Sequence, residues 1–327
     1  MPENYKIYQN VIIPQCKINL KKRLVQSGFF DINEKIIPGT ELKFIDRLTP
    51  TQRINKKRLA NPQPVQGEAV FLGLLRAHYG HFLLDSLAWL WILNEFPLHN
   101  RTGIFQVTNH DTIENPEYIK LVMDAFGITT QNTLLTTKPL IVEKVIVPEA
   151  QYNPFEFRAK KAYKQVYNRI ANHVFNNGIY DDIKNEGMYY LSRKKLPTDQ
   201  KKYRPCVNES AIEEMMTKFG FDIIYPEHIP FERQIVMYTR AKCIVGFEGS
   251  ALHNAVFMKP DTSVISIGSF RKKQEIHPAQ AVCNFISGVK GFTIPFSGQL
   301  LKEETQEFEF DLKHLEEQMC LVLKIKD

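Results

Sequence analysis

Four short runs, Met188-Tyr-Tyr-Leu-Ser192, Phe221-Asp-Ile-Ile-Tyr225, Lys242-Cys-Ile-Val-Gly246 and Ser263-Val-Ile-Ser-Ile267, decide how this chain folds. Each is short and rich in β-branched or aromatic residues; the first reads as a buried strand and the other three as the next strands in order. Between the first two, Ile212, Met215, Met216 and Phe219 recur at the spacing of one helix face, and Gly220 stands where a helix-ending glycine belongs. Pro230 opens a second helix carrying Phe231, Ile235 and Tyr238 on one side. Ser250–Met258 predicts a short third helix stopped by Pro260. Strand and helix alternating in this way predict a parallel sheet with helices on its faces.

Outward from that core, the first half alternates less cleanly. A helix is expected from about Phe82 to Phe96, a strand at Ile104–Val107, a helix at Glu117–Phe126 closed by Gly127, and a strand at Ile141–Val147. A long amphipathic helix from about Pro154 to Phe175 runs into Asn176-Asn-Gly178 and the polar stretch Asp181–Gly187, where a hinge is expected. The chain of 327 residues is long enough for two domains, set here at 1–180 and 181–327. The last helix, about Asp311 to Leu323, lines up Leu312, Leu315, Met319 and Val322 and is free to pack back on the N-terminal domain. The fold class expected is α/β, two such domains facing a ligand cleft outside the carboxyl ends of their strands.

Composition narrows the function. Hydrophobic residues make 43% and charged residues 24% of the chain, an ordinary globular balance that excludes a disordered or fibrous protein. Forty-two Lys and Arg against 36 Asp and Glu leave a charge of +6, which suits an anionic ligand or an anionic membrane face. The basic clusters Lys21–Arg23, Lys56–Arg58 and Arg271–Lys273 are short and scattered, without the interleaved aromatics of a nucleic-acid binder, so no nucleic acid is expected. Five cysteines without a C-x-x-C spacing suggest neither a disulfide framework nor a zinc site, and a reducing compartment follows. The N-terminal residues lack an apolar leader, and the longest greasy run, Phe82 to Leu93, is broken by Asp85 and Ser86. It is also too short for a bilayer, which takes about 20 residues. A cytoplasmic protein is expected, able to sit peripherally on a membrane face.

Three groups of residues offer chemistry. Val245-Gly-Phe-Glu-Gly-Ser-Ala-Leu-His-Asn254 leads a strand through a glycine turn into a helix, a layout that lets backbone N–H groups of Gly249 and Ser250 approach a phosphate, although small residues there also serve close packing. It is neither of the familiar glycine fingerprints for dinucleotides or P-loop phosphates. Arg193 and Lys194 follow the first strand directly, so they project from the same edge, where an arginine fork matches a diphosphate and lysine adds a point charge. Glu248 repels phosphate but accepts well from vicinal hydroxyls, which points to ribose or sugar, while Asn254 has either a ligand or its neighbours to bond. His253 reads as a core histidine. Upstream, in Arg76-Ala-His-Tyr-Gly-His-Phe-Leu-Leu-Asp85, His81 and Asp85 are four apart and share a helix face in apolar company. They form either a structural staple or a general base, Asp85, held by His81. No spacing of acids or histidines suggests a metal.

Taken together, Tyr189-Tyr-Leu-Ser-Arg-Lys194, Arg204, Asn208-Glu209, Gly220-Phe-Asp-Ile-Ile-Tyr-Pro-Glu227, Phe231-Glu-Arg-Gln234, Ala241 and Ile244–Asn254 with Phe257 and Pro260 resemble glycosyltransferase family 61. His81-Phe-Leu-Leu-Asp85 resembles the N-terminal His/Asp motif of that family, so the likeness covers roughly residues 78 to 267. It implies a GT-B architecture of two Rossmann-like domains, the N-terminal one facing the acceptor and the C-terminal one binding a nucleotide sugar, commonly a UDP-sugar. It also implies an inverting mechanism with no cofactor or metal. The acceptor implied is a glycan or lipid-linked oligosaccharide in capsule or lipopolysaccharide assembly, at the cytoplasmic side of the inner membrane. Asp85 is then the base and His81 its partner, with Arg193, Lys194, Glu248, Gly249, Ser250 and Asn254 on the donor. The chain departs from the family at Glu248, where many members carry His, and at Ser250, often Ala. Two other classes compete: a glycan-binding or scaffold protein without catalysis, which would bind acceptor but no nucleotide, and a nicotinamide oxidoreductase, disfavoured because no glycine fingerprint opens either half.

Overall fold

In the computed structural model, residues 4–19, 21, 24–41, 49–50, 55–108, 116–154, 156–196, 204–268 and 276–326 are described. Of the basic clusters, Arg271–Lys273 and the pair Lys22 and Arg23 lie outside them. Contacts divide the chain into two units, Met1–Ile170 and Ala171–Asp327.

The first unit is built on a five-stranded sheet of β1 (Tyr5–Ile13), β2 (Gln63–Leu75), β3 (Thr102–Val107), β4 (Thr133–Leu135) and β5 (Leu140–Pro148), in the order β1-β5-β2-β3-β4. Only β1 runs antiparallel, against β5. The long central strand β2 was not foreseen. Gly67 and Gly73, both with positive φ, coincide with two breaks in its register, so its apolar residues keep no simple alternation. A Cβ at Gly73 would lie closer than 3.0 Å to the ring of Trp89. Helix α1 (Glu117–Phe126) ends as expected at Gly127, whose φ is +66°, with Ile128 N–H returning to Met123 O and Gly127 N–H to Asp124 O.

Two expected helices of this unit come out differently. The segment 82–96 is not one α-helix: a single α-turn at Tyr79–His81 passes into a π-turn at Phe82–Ser86 and then a 3-10 helix at Leu87–Asn94. Apolar residues on all its sides leave no single stripe to fix a period of 3.6. The expected helix from Pro154 is α2 (Lys164–Asn177), led by a 3-10 turn at Lys161–Tyr163. Its first stretch is instead a small ladder of Tyr152–Asn153 on Arg158–Ala159, turned through Phe157 at φ +47°.

The second unit carries the sheet that the four runs predict, with β6 (Gly187–Leu191), α3 (Glu209–Lys218), β7 (Asp222–Ile224), α4 (Phe231–Arg240), β8 (Ala241–Phe247) and β9 (Ser263–Ile267). Beyond these come α5 (Pro278–Ser287) and a fifth strand, β10 (Lys290–Ile294), both unforeseen. All five strands are parallel, in the order β7-β6-β8-β9-β10. Every residue of β9 is buried, as a strand covered on both faces requires. Tyr190, Val245, Ile265 and Ile294 share one cluster with Ile212 and Met216 of α3. A hairpin of β11 (Gly298–Lys302) and β12 (Glu307–Phe310) adds Phe308 and Phe310 to it, and α6 (Leu312–Lys326) adds Leu315, Met319 and Val322. At the end of α3, Gly220 at φ +82° closes the helix, with Phe221 N–H on Met216 O and Gly220 N–H on Thr217 O.

The third helix is the correction here. Leu252–Phe257 is a six-residue 3-10 helix, entered through i to i+3 bonds from Leu252 N–H to Gly249 O and from His253 N–H to Ser250 O, both 3.1 Å. The expected α-helical end at Ser250 is therefore absent, and with it the summed dipole that an α-helix would place there. So short a connector, buried along most of its length and followed by Pro260, has no room to wind α-turns.

Candidate functional site

The chain leaves β6 toward β7 on one side and reaches β8 on the other, so the sheet changes direction between β6 and β8. Open parallel sheets take their ligands outside the carboxyl ends of the strands at such a switch point. Two loops meet there. One, Ser192–Lys195, leaves β6; the other, Glu248–Ala251, leaves β8, whose ladder is continued by Glu248 N–H on Ile267 O at 2.9 Å.

Arg193 spans the two loops. Its Nη2 donates to the backbone carbonyl of Glu248, and a Cβ at Gly249 would lie closer than 3.0 Å to that same nitrogen. Gly249 is needed for what passes over it, since its backbone is not in the left-handed region. Three residues earlier, within β8, Gly246 faces Leu191 of β6, with a would-be Cβ at 3.2 Å from both Leu191 Cβ and Leu191 O. The arginine fork thus lies on the switch point beside Gly249 and Ser250, both partly exposed. With the helix end gone, their amides act as single dipoles.

Lys194 turns the other way. Its Nζ lies 3.4 Å from Glu213 Oε2 on α3, and Lys195 Nζ sits 3.9 Å above the ring of Tyr225. Glu248 is 6% exposed. Asn254 is 1% exposed and donates its amide to Ala251 O at 3.0 Å, so it braces the 3-10 turn. His253 lies with its ring 6.5 Å from that of His277. The structure therefore gathers Arg193, Glu248, Gly249 and Ser250 on one rim, with Lys194 beside it on Glu213 and Asn254 beneath it.

Sequence reasoning missed what stands behind the rim. Glu209, the first residue of α3, is 2% exposed, and its Oε1 accepts from Arg193 N–H at 2.8 Å and from the Tyr190 hydroxyl at 3.1 Å. Burial pushes its carboxyl above the usual glutamate range, with the Arg193 and Tyr190 hydrogen bonds working in the opposite direction. Glu213 accepts from Ser192 Oγ at 2.7 Å and from the Tyr225 hydroxyl at 3.0 Å. The available signal was the four-residue spacing of the two acids at the start of an otherwise amphipathic helix.

In the first unit, His81 Nδ1 and Asp85 Oδ2 are 2.9 Å apart, with side chains 21% and 11% exposed. The contact orients the Asp85 carboxylate. The π-turn that carries Asp85 spends fewer of its carbonyls within the helix. Leu84 O accepts from the Tyr163 hydroxyl at 2.7 Å and Leu83 O from the Tyr167 hydroxyl at 2.9 Å. On the opposite side Arg76 N–H donates to Ser86 Oγ at 3.0 Å. The carboxylate itself is held by His81, and the turn that carries it is held by the two tyrosines and by the end of β2. Such a group, partly open to solvent, is able to take a proton from a ligand hydroxyl.

Among the described residues no group of three or more His, Cys, Asp and Glu is placed to hold a metal ion, and no helix is long and apolar enough to cross a membrane. The family model of Glycosyltransferase 61 matches residues 79–265, which include every residue named on the rim and both His81 and Asp85. No curated protein sequence matches the chain. Among solved structures, the chain is similar to E. coli heptosyltransferase WaaC with ADP, at 12% identity over 79% of this chain and 100% of that one, with a TM-score of 0.38.

Proposed function

The chain belongs to glycosyltransferase family 61, and from that premise we propose that it is an inverting enzyme that moves a sugar from a nucleoside diphosphate sugar, most naturally a UDP-sugar, to a glycan hydroxyl. The donor is assigned to the second unit and the base to Asp85 of the first. In this reading Asp85 takes the proton of the acceptor hydroxyl while its oxygen attacks the anomeric carbon. The bond from that carbon to the diphosphate oxygen breaks on the opposite face, and the nucleoside diphosphate leaves with both electrons. The Arg193 fork and the Gly249 and Ser250 amides meet the charge that develops on the diphosphate. Preorganised donors of this kind each lower a barrier by about 2–4 kcal/mol. Lys194 reaches the donor by leaving Glu213, and Glu248 accepts from a ribose or sugar hydroxyl.

The observation that carries this reading is the Arg193 guanidinium laid across Gly249 at the switch point of a parallel sheet. Metal independence, an acceptor in cell-surface polysaccharide assembly and a cytoplasmic setting complete the proposal. A thermal-shift panel of nucleotides and nucleotide sugars tests it, because a ligand that binds only the folded state raises the melting temperature by mass action. Stabilisation by UDP or a UDP-sugar, undiminished in EDTA and lost in Arg193→Ala, is expected. Binding of a glycan acceptor with no response to any nucleotide would overturn the reading in favour of a glycan-binding protein.

A further inference from the structure

The Arg193 side chain is only as well placed as the backbone it leaves. The last N–H of β6 that finds a strand partner is that of Ser192, donating to Ile224 O at 2.9 Å. Arg193 is one residue past the ladder, where a backbone N–H has no strand to bond. Glu209 fills that place, its Oε1 accepting the Arg193 N–H at 2.8 Å. The same oxygen takes the Tyr190 hydroxyl at 3.1 Å. Ser192 Oγ lies 3.3 Å from it, but a hydroxyl has one proton, and the 2.7 Å contact with Glu213 is the better acceptor for it. Ser192 Oγ in turn accepts Lys194 N–H at 3.1 Å, so three successive residues of the loop are tied to two carboxylates of α3.

Burying a carboxylate at 2% exposure is costly, and an apolar residue at the start of α3 would serve packing better. A carboxylate earns its place only if the N–H it takes matters. We infer that Glu209 is a positioning residue: it fixes the backbone of Arg193 so that the guanidinium crosses Gly249 and reaches the Glu248 carbonyl. Its role rests on the proposed reading, in which Arg193 grips the donor diphosphate. Glu209 itself touches no ligand in this scheme.

Isothermal titration with UDP and with inorganic pyrophosphate on the full chain tests both layers separately. Arg193→Ala is expected to weaken both ligands by about tenfold or more, the loss of a hydrogen bond to a charged group. Glu209→Ala is expected to weaken them comparably, and Glu209→Gln, which keeps an oxygen for the Arg193 N–H, to return within about threefold of wild type, a conservative swap that leaves the bond in place. The double variant Arg193→Ala/Glu209→Ala is expected to bind no more weakly than Arg193→Ala alone, as coupled residues are not additive. Glu209→Asp, with its oxygen drawn back by one methylene, serves where the alanine variant does not fold, and is expected to lose affinity too. Wild-type affinity in Glu209→Ala or Glu209→Asp, or losses that multiply with Arg193→Ala, would overturn the positioning role. Wild-type affinity in Arg193→Ala would instead overturn the donor-site reading beneath it.

Discussion

Replacing Gly249 by alanine separates the two things a glycine turn can do. The added Cβ would fall closer than 3.0 Å to Arg193 Nη2 and meets nothing else within 3.0 Å, the next atom being Arg193 Cζ at 3.4 Å. Because the obstructing atom is the tip of a flexible side chain, the fold gives way there: the guanidinium moves off and its bond to the Glu248 carbonyl is lost. That bond is worth about 1 kcal/mol net at a partly exposed site. The alanine restores about 0.4–1 kcal/mol by restricting the unfolded chain, so stability should hardly change. Binding should change. Losing one charge-assisted bond to a diphosphate, about 2 kcal/mol, raises the Kd for UDP roughly thirtyfold. Gly246→Ala is the control. Its Cβ meets Leu191 Cβ and Leu191 O at 3.2 Å, neither of which can rotate away, so overpacking of about 1–3 kcal/mol is expected. That corresponds to a fall in melting temperature of roughly 2–4 °C per kcal/mol. Thermal melts and UDP titrations on both variants decide the matter. A Gly249→Ala protein that binds UDP as wild type does, or that melts as early as Gly246→Ala, would refute the geometry argued for the rim.

Three further outcomes are expected. Asp85→Asn should leave the melting temperature and the UDP affinity unchanged while transfer slows by about 10²–10⁴, the usual share of a general base, and near-normal turnover would remove Asp85 from that role. Tyr163→Phe takes the donor from Leu84 O and should lower unfolding free energy in urea by about 1 kcal/mol; an unchanged midpoint would mean that the π-turn does not depend on it. For Glu209, whose carboxyl burial raises, the folded state holds the proton more tightly than the unfolded one. Stability from this group is therefore greatest below the ordinary glutamate range and declines as pH climbs from there to the raised value, staying low above it. The melting temperature of Glu209→Gln should gain on wild type across that window, and parallel pH profiles would contradict the assignment.

How much of this was legible in the sequence follows from where the physics is local. The runs at 188–192, 242–246 and 263–267 lie inside the sheet and are buried along most or all of their length, so they are largely apolar and stand out alone, while 221–225 forms the edge strand and keeps Asp222 half-buried. Gly220 and Gly127 mark helix ends because only a residue without Cβ takes their φ cheaply. The chain shows less where structure depends on distant partners. Strand β2 keeps its place through neighbours on both sides and two glycine bulges, which break the alternation that would have revealed it. The segment carrying Asp85 reads as a plain helix because the π-turn is held by Tyr163 and Tyr167, some 80 residues away. The same division runs through the site. Arg193 and Gly249 could be placed on one rim from strand order alone, since both follow strands of one parallel sheet. That Lys194 bends to Glu213 while Arg193 lies on the glycine could not, because it depends on the two acids that open α3. An arginine after a strand is common. What sets this one apart is the buried carboxylate that holds its backbone and the missing Cβ that makes room for its tip, and those two residues lie 40 positions apart in the chain.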